Sequence, residues 1–302
     1  EPVAWDDRSI TVMGRGPQAT RIACQECFRV RSTVPGNEHS GWRIAALTLH
    51  GAAPGGTVIT IWDNVSTSHS GWRIDHVRFE YPGAGSGYGI FVGGPTFGLV
   101  DHTEWRWGNG LCVIVAAQRD DEWPGSTDLP QGGWLASQPL GLGTERALFI
   151  EDSTFTCEAP GGCAAYDTSS GGGRCVFRHN TLTGAMYYSH WTRGVEIGGL
   201  VHEIYRNTFT ANAAYGAYPI RLEAGTGVIF DNTARGFSDN HALLDERRGF
   251  MESEGPFGAC DGQKPWDGNA GDPGAPGWPN RAYHAIICGA LGSSKNSASP
   301  AQ

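Results

Sequence analysis

The chain has very little lysine and little charge of any kind. Lysine occurs only at Lys264 and Lys295 against 20 arginines, charged residues make up 18 % of the 302 residues, and the formal net charge is −9. Schiff-base and phosphate-loop chemistry that depends on lysine is therefore not expected, and nucleic acid is excluded as a partner because it requires a basic surface. No apolar run approaches the ~20 residues that span a bilayer, so no membrane span is predicted.

Glycine and tryptophan, by contrast, are abundant. The chain contains 45 glycines, about twice the usual share, together with 11 tryptophans and 8 cysteines. An even number of cysteines in an acidic chain of this kind is typical of an oxidising compartment. The sequence starts Glu-Pro-Val-Ala-Trp without an initiating methionine, as a mature chain does after cleavage. We therefore expect a secreted, extracellular protein.

The cysteine spacing favours structural roles. Cys24 and Cys27 form a single Cys-x-x-Cys with no second pair at similar spacing, which argues against a zinc ribbon. Cys260 and Cys288 flank a stretch rich in proline and glycine and are suited to clip it. One further pair is expected among three cysteines that are close in sequence, Cys157, Cys163 and Cys175.

An internal repeat of 25 to 30 residues runs along most of the chain. His39–Ile44 reads HSGWRI and recurs at His69–Ile74. A looser unit also recurs. It consists of an apolar residue, two mostly polar residues, Asn or Ser, Thr and a second apolar residue. Its first apolar residue stands at positions 44, 74, 100, 150, 177, 204 and 229. The step of 50 after position 100 contains either an insertion or an undetected coil.

The composition of the repeat predicts a β-solenoid. Its apolar runs are short, rich in β-branched and aromatic residues, and bounded by Gly, Asn and Pro, which is typical of strands. Such strands cannot bury a face alone but form a continuous core when they stack. Asn180, Asn207 and Asn232 share one position of the repeat, where stacked asparagines would form a ladder across a bend.

These Asn-Thr-Phe/Leu units and the run Val-Ile-Phe-Asp-Asn at 228–232 resemble the right-handed parallel β-helix of the pectate-lyase-like superfamily over residues 40–235. The resemblance implies an all-β solenoid of about 7–9 coils with three short strands per coil. We expect the β-helix to occupy residues 1–250. An insertion at about 117–145 would form a groove wall, and residues 251–302 would form an irregular C-terminal cap rich in Gly and Pro.

One column of the repeat is unusually polar. Two places after each first apolar residue, neighbouring coils would place the following residues side by side: Ala46, His76, His102, Asp152, His179, Arg206 and Asp231. Coupled histidines and carboxylates are candidates for acid–base chemistry, so His102, Asp152 and His179 are predicted catalytic residues and Arg206 a substrate-binding residue. The alternative is that this column borders a turn, where polar residues are ordinary.

The segment Val100–Trp107 resembles the Ile-Asp-His element of pectate lyases. The resemblance implies that Asp101 and Glu104 are oxygen ligands for a hard cation such as Ca²⁺, with no organic cofactor. Two tryptophans are predicted platforms for sugar rings, Trp107 in this segment and Trp123 in the insertion. The Arg-x-Pro-x-x-Arg motif of that family is broken at Ala217–Leu222, although Arg221 lies one place from its last position and is retained as a catalytic candidate.

The first functional hypothesis is a secreted, carbohydrate-active enzyme, a polysaccharide lyase or a glycoside hydrolase, acting on an extracellular polymer in a groove along the solenoid. It is a prediction by analogy of fold. The alternative is a non-catalytic surface, adhesive or filament-forming protein whose solenoid ends associate end to end. A third class, between these two, binds carbohydrate without turnover.

Overall fold

The computed structural model describes residues 1–6, 8–32, 41–51, 56–63, 69–81, 87–94, 96–108, 113–117, 147–158, 161–168, 173–189, 201–213, 215–222, 226–238, 242–244 and 286–288. These residues form an all-β structure of three parallel sheets. None of them forms a helix of the length and apolarity that crossing a membrane requires. The predicted insertion at 117–145 lies, apart from its first residue, outside the described residues, as does the predicted cap at 251–302 apart from one short strand.

The 26 strands are numbered along the chain and every third strand joins the same sheet. Sheet 1 contains β1 (Val3–Asp6), β4 (Phe28–Ser32), β7 (Ile59–Asp63), β10 (Ile90–Gly93), β13 (Ile114–Ala117), β16 (Cys163–Thr168), β19 (Ala185–Ser189), β22 (Ile220–Leu222) and β25 (Ala242–Leu244). Sheet 2 contains β2 (Thr11–Met13), β5 (Arg43–Ala45), β8 (His69–Asp75), β11 (Thr96–Asp101), β14 (Leu148–Glu151), β17 (Arg174–Arg178), β20 (Val201–Tyr205), β23 (Thr226–Phe230) and β26 (Ile286–Cys288). Sheet 3 contains β3 (Arg21–Cys24), β6 (Thr48–Gly51), β9 (Arg78–Tyr81), β12 (Glu104–Trp107), β15 (Thr154–Cys157), β18 (Thr181–Thr183), β21 (Thr208–Thr210) and β24 (Thr233–Arg235).

This order of strands is that of a parallel β-solenoid, so the predicted all-β solenoid with three short strands per coil is confirmed. Each coil contributes one strand to each sheet, and the strand three places later lies directly beside it. Alternate side chains of each strand point inward, where they stack on the equivalent side chains of the neighbouring coils. The core is therefore a set of columns that run along the solenoid.

The repeat positions read from the sequence form one such column on sheet 2. Successive pairs are in register from coil to coil, and all members are at most 1 % exposed. The column consists of Ile44, Ile74, Val100, Ile150, Phe177, Ile204 and Ile229. Val100 pairs directly with Ile150, so no strand of sheet 2 lies between them despite the step of 50 residues. Burying a side chain of this size contributes about 1.5–3 kcal/mol.

The HSGWRI repeat places two tryptophans on neighbouring coils. Trp42 and Trp72 stack with ring centroids 5.3 Å apart and planes within 4°. The indole Nε1–H of Trp72 donates to Thr96 Oγ1 at 2.9 Å, so its polar edge is satisfied although the ring is buried. Gly98 lies against this ring, since a Cβ there would stand 2.1 Å from a Trp72 ring atom.

The predicted asparagine ladder lies at the bend between sheets 2 and 3. Asn180, Asn207 and Asn232 are all buried. Asn207 Nδ2 donates to Phe177 O at 2.8 Å and to Asn232 Oδ1 at 2.9 Å, while its Oδ1 accepts the Asn180 backbone N–H at 2.9 Å. The ladder thus satisfies backbone groups of three coils that the bend removes from the sheets.

Two disulfide pairs are present among the cysteines that the structure describes. Cys24 pairs with Cys27, and Cys157 pairs with Cys163, with Cα atoms 5.3 and 5.8 Å apart. One pair among the three neighbouring cysteines is therefore confirmed, and Cys175 is the buried free thiol of that group. Burial raises the pKa of Cys175 well above its usual value, which keeps the thiol protonated. Cys260, the predicted partner of Cys288, lies outside the described residues.

Replacing Asn207 with Val tests the ladder. The change removes the hydrogen bonds of the amide and leaves the Asn180 N–H and the Phe177 carbonyl unpaired in a buried bend, at about 1–3 kcal/mol each. We expect a loss of at least about 2 kcal/mol in the free energy of unfolding, measured by denaturant titration. Thr208→Val, on the outward side of the next strand, is the matched control. Equal stability of Asn207→Val and wild type would contradict the ladder's role.

Candidate functional site

The polar column predicted from the sequence exists, and it lies at the bend that the asparagine ladder supports. Its seven members have φ between 50° and 57° and are the described residues other than glycine with positive φ: Ala46, His76, His102, Asp152, His179, Arg206 and Asp231. This left-handed conformation turns each side chain away from the core, and all members except Ala46 are exposed. The column therefore combines both interpretations of the sequence: it is a turn, and its ionisable side chains form a row that faces solvent.

Two neighbouring coils carry the same ion pair, between a partly exposed arginine and a buried aspartate, beneath this row. Arg43 Nε and Nη2 donate to the two carboxylate oxygens of Asp75 at 2.6 and 2.7 Å. One coil later, Arg73 Nε and Nη2 donate to Asp101 at 2.9 and 2.7 Å. Each arginine thus clamps the aspartate of the following coil, and both carboxylates are buried.

Each clamped aspartate also contacts the histidine that follows it. His76 Nδ1 lies 2.8 Å from Asp75 Oδ2, and His102 Nδ1 lies 2.8 Å from Asp101 Oδ2. Burial raises the pKa of Asp75, but the hydrogen bonds from Arg43 and His76 outweigh that effect and hold the pKa below its usual value. The hydrogen bond to Asp75 raises the pKa of Arg43, and the hydrogen bond to Asp101 raises the pKa of Arg73. The result is a pair of Arg–Asp–His units, stacked one coil apart.

The later coils of the column have looser contacts. His179 Nδ1 stands 3.7 Å from an Asp152 carboxylate oxygen, and Arg206 stands 3.8 Å from Asp231. The residues therefore follow one another along the bend in the predicted order, His102, Asp152, His179 and Arg206. Beside them on sheet 2, Glu151 accepts from Arg178, which also donates to Tyr205 at 2.8 Å.

The residues predicted to bind calcium do not fit a calcium site. Both carboxylate oxygens of Asp101 accept hydrogen bonds from Arg73, and Glu104 accepts from Arg78 at 2.8 Å and Arg106 at 3.0 Å. Calcium requires six to eight oxygen ligands, and these oxygens already serve cations of the protein. Among the described residues, no three His, Cys, Asp or Glu side chains come together as a metal site.

The other predicted site residues lie elsewhere. Trp107 is 2 % exposed inside sheet 3, where its inward position makes it part of the core and not a sugar platform. Arg221 lies on the outer face of sheet 1, over the ring of Tyr188 at 5.3 Å and within 3.2 Å of Tyr218 Oη. It is therefore on a different face from the polar column. Trp123 lies outside the described residues.

The sequence interpretation missed a groove on the outer face of sheet 1. The groove has a volume of about 650 Å³. Its lining residues come from the Cys24–Cys27 loop, from β4 and from β7 with the turn before it: Gln25, Glu26, Arg29, Arg31, Gly56, Thr57, Thr60 and Trp62. The disulfide closes the loop that holds Gln25 and Glu26. Gly56 lets this loop approach, because a Cβ there would stand 2.7 Å from the carbonyl oxygen of Gln25.

Trp62 forms the aromatic wall of this groove. It is 39 % exposed, and its ring stacks on Phe91 of the next coil with centroids 5.7 Å apart and planes within 8°. The indole also covers Gly93, where a Cβ would stand 2.3 Å from a ring atom. The exposure of Trp62 could have been predicted from the alternation Ile59, Thr60, Ile61, Trp62. In a strand, two inward isoleucines at alternate positions place Trp62 on the outer face.

The charged groups of the groove surround this aromatic wall. Arg31 pairs in register with Trp62, and Arg29 pairs with Thr60. Burial raises the pKa of Glu26, but hydrogen bonds from Arg29 and Thr60 and the charges of Arg29 and Arg31 outweigh it, so the pKa lies below its usual value. Glu26 is therefore ionised at neutral pH, and with two arginines the groove carries a net positive charge.

No protein-family model, no curated protein and no solved structure matches this chain. The parallel solenoid is established by the chain's own strand order. Membership of the pectate-lyase-like superfamily remains a prediction from the sequence pattern.

Replacing Asp75 with Asn tests the ion pair between Arg43 and this buried carboxylate. Because the pKa of Asp75 is lowered from 3.8 on folding, its charge stabilises the fold above that value, and the contribution is lost as the pH falls through the lowered pKa. We expect Asp75→Asn to cost about 1–3 kcal/mol near neutral pH and progressively less below about pH 4. Denaturant unfolding across this range measures the difference, with exposed Asp152→Asn as control. A cost that does not shrink with acid would contradict the assignment.

Proposed function

We propose that the protein binds an extracellular, negatively charged polysaccharide in the groove on sheet 1. The observation that carries the proposal is the exposed Trp62 beside Arg31, with Arg29 lining the same groove. A flat aromatic ring packs against the C–H faces of a sugar, and guanidinium groups pair with a carboxylate or sulfate. The groove thus offers both contacts that an acidic sugar requires.

The aromatic wall is held in place before any ligand binds. Phe91 stacks on the indole, and Gly93 leaves room for the ring where a Cβ would clash with it. Preorganisation of this kind lowers the entropy cost of binding, because the ring does not have to be immobilised by the ligand. The inward residues of β7, Ile59 and Ile61, anchor the strand in the core.

The charge of the groove favours an anionic ligand. Glu26 and Arg29 form an ion pair whose charges cancel. Arg31, beside Trp62, therefore gives the groove its net positive charge. The whole chain has a net charge of −9, so this local positive charge is needed for a polyanion to approach. Uronate and sulfated sugars have the matching charge.

Cleavage of the bound polymer by a lyase or hydrolase mechanism stays a prediction from the resemblance. Among the lining residues, Glu26 is the one carboxylate, whereas glycoside hydrolysis normally uses two. Its lowered pKa also makes Glu26 a weak acid–base candidate. Carbohydrate binding without turnover is therefore the form of the hypothesis that the groove supports best. The two disulfide pairs are weakly consistent with an extracellular location.

Replacing Trp62 with Ala tests the proposal. We expect affinity for acidic polysaccharides such as polygalacturonate, alginate or a sulfated glycan to fall roughly tenfold, or about 1.4 kcal/mol, because the sugar loses its platform. Affinity electrophoresis and isothermal titration measure the change. Met13→Ala is the matched control, since Met13 is an exposed apolar residue on sheet 2 that does not line the groove. Arg31→Gln should weaken binding to acidic polymers and leave neutral ones unchanged.

Binding unaffected by Trp62→Ala would exclude this groove. A turnover screen on the same polymers, with calcium and with chelator, follows the absorbance of unsaturated products and, separately, reducing ends. Products that require an intact groove would extend the proposal to catalysis. Absence of binding to every polymer, together with long rods in negative-stain images, would favour the end-to-end association of the alternative hypothesis.

A further inference from the structure

The two Arg–Asp–His units present a pair of imidazoles to solvent on the bend between sheets 2 and 3. The rings of His76 and His102 are parallel to within 4°, with centroids 5.0 Å apart. Their side chains are 56 % and 52 % exposed. Neither ring is needed to fill the core, and the sugar-binding groove lies on another sheet.

The buried aspartates determine which nitrogen of each ring is free to act. Asp75 and Asp101 each accept two N–H groups from an arginine and one contact from the Nδ1 of the following histidine. A carboxylate held in this way acts as an acceptor, so Nδ1 carries the hydrogen and donates it. The lone pair of each neutral imidazole is therefore on Nε2. In the described part of the chain, no protein group within hydrogen-bond distance occupies either Nε2.

We propose that His76 and His102 bind one divalent transition-metal ion, of the class of Zn²⁺, Cu²⁺ or Ni²⁺, through their Nε2 atoms, with water completing the coordination. Imidazole is a preferred ligand of these ions. A histidine that binds a metal normally donates its other N–H to a carboxylate, which fixes the ring and raises its basicity. Both histidines already have this partner, and the partner is itself fixed by an arginine.

Both rings have to turn before they can share one ion, because parallel rings direct their Nε2 lone pairs the same way. Two nitrogens bound to one tetrahedral ion at about 2.1 Å lie about 3.4 Å apart, which is closer than the 5.0 Å between the stacked rings. Because both side chains are half exposed, the rings have room to turn their Nε2 edges toward each other. Asp75 and Asp101 pair in register on neighbouring strands, so the two bends lie one coil apart.

The charges around the pair permit a dication to bind. Arg43 and Arg73 are each neutralised by the aspartate that they clamp, so they add no net positive charge beneath the rings. Nearby on sheet 3, Arg78 and Arg106 share the single carboxylate of Glu104, which leaves one net positive charge among these three residues. This site differs from the predicted calcium site because its ligands are nitrogens, whereas the carboxylates of Asp75 and Asp101 lie behind them.

Isothermal titration of the full chain without an affinity tag, using ZnCl₂ and NiCl₂ near neutral pH, tests the site. We expect one ion per chain, and at least a tenfold loss of affinity in both His76→Gln and His102→Gln. His179→Gln is the matched control, because His179 is an exposed histidine of the same column beside a carboxylate. Unchanged affinity in both variants, or an equal loss in His179→Gln, would overturn the proposal.

The role of Asp101 as a positioning residue has a separate readout. In ¹⁵N spectra of the imidazoles, zinc should shift the Nε2 signals of His76 and His102, with Nδ1 protonated before and after binding. Asp101→Asn should mix the tautomers of His102 alone and weaken zinc binding roughly 10–100-fold. A zinc-induced shift at Nδ1, or tautomers that Asp101→Asn leaves unchanged, would contradict the assignment even if the variant is less stable.

Discussion

The bend between sheets 2 and 3 is the constraint on which the rest of the structure depends. Seven residues there adopt the left-handed conformation, which costs an ordinary L-residue about 1 kcal/mol or more. In the later coils the asparagine ladder offsets this cost by bonding each bend to the next, and the buried apolar column beside it does so along the whole row. The repetition keeps all coils in register, and the register decides which side chains become neighbours.

A parallel register places like positions side by side, and the protein uses this in two ways. Inside, it stacks aromatic rings, such as Phe79 on Trp105 with centroids 3.7 Å apart. Outside, it repeats the Arg–Asp–His unit, so that Arg73 serves the aspartate of the next coil just as Arg43 serves Asp75. Repulsion between the aspartates of adjacent coils is avoided because each has its own guanidinium.

The two candidate sites use different properties of the same solenoid. The groove on sheet 1 depends on a side chain that the register leaves exposed, Trp62, and on a loop closed by the Cys24–Cys27 disulfide. The histidine pair depends on a column that the backbone turns outward. They lie on separate parts of the surface, so binding of a polysaccharide and binding of a metal ion can be tested independently.

The sequence by itself determined the periodic features. The spacing of residues in the sequence predicts the all-β class, the inward column from Ile44 to Ile229, the asparagine ladder and the polar column. It does so because residues one repeat apart in a solenoid become neighbours in space. Contacts across a coil do not follow from spacing. Tertiary structure alone paired Arg73 with Asp101, buried Trp107, placed Arg221 on another sheet and brought Glu26 beside Trp62, since the path of each turn decides which outward side chains meet.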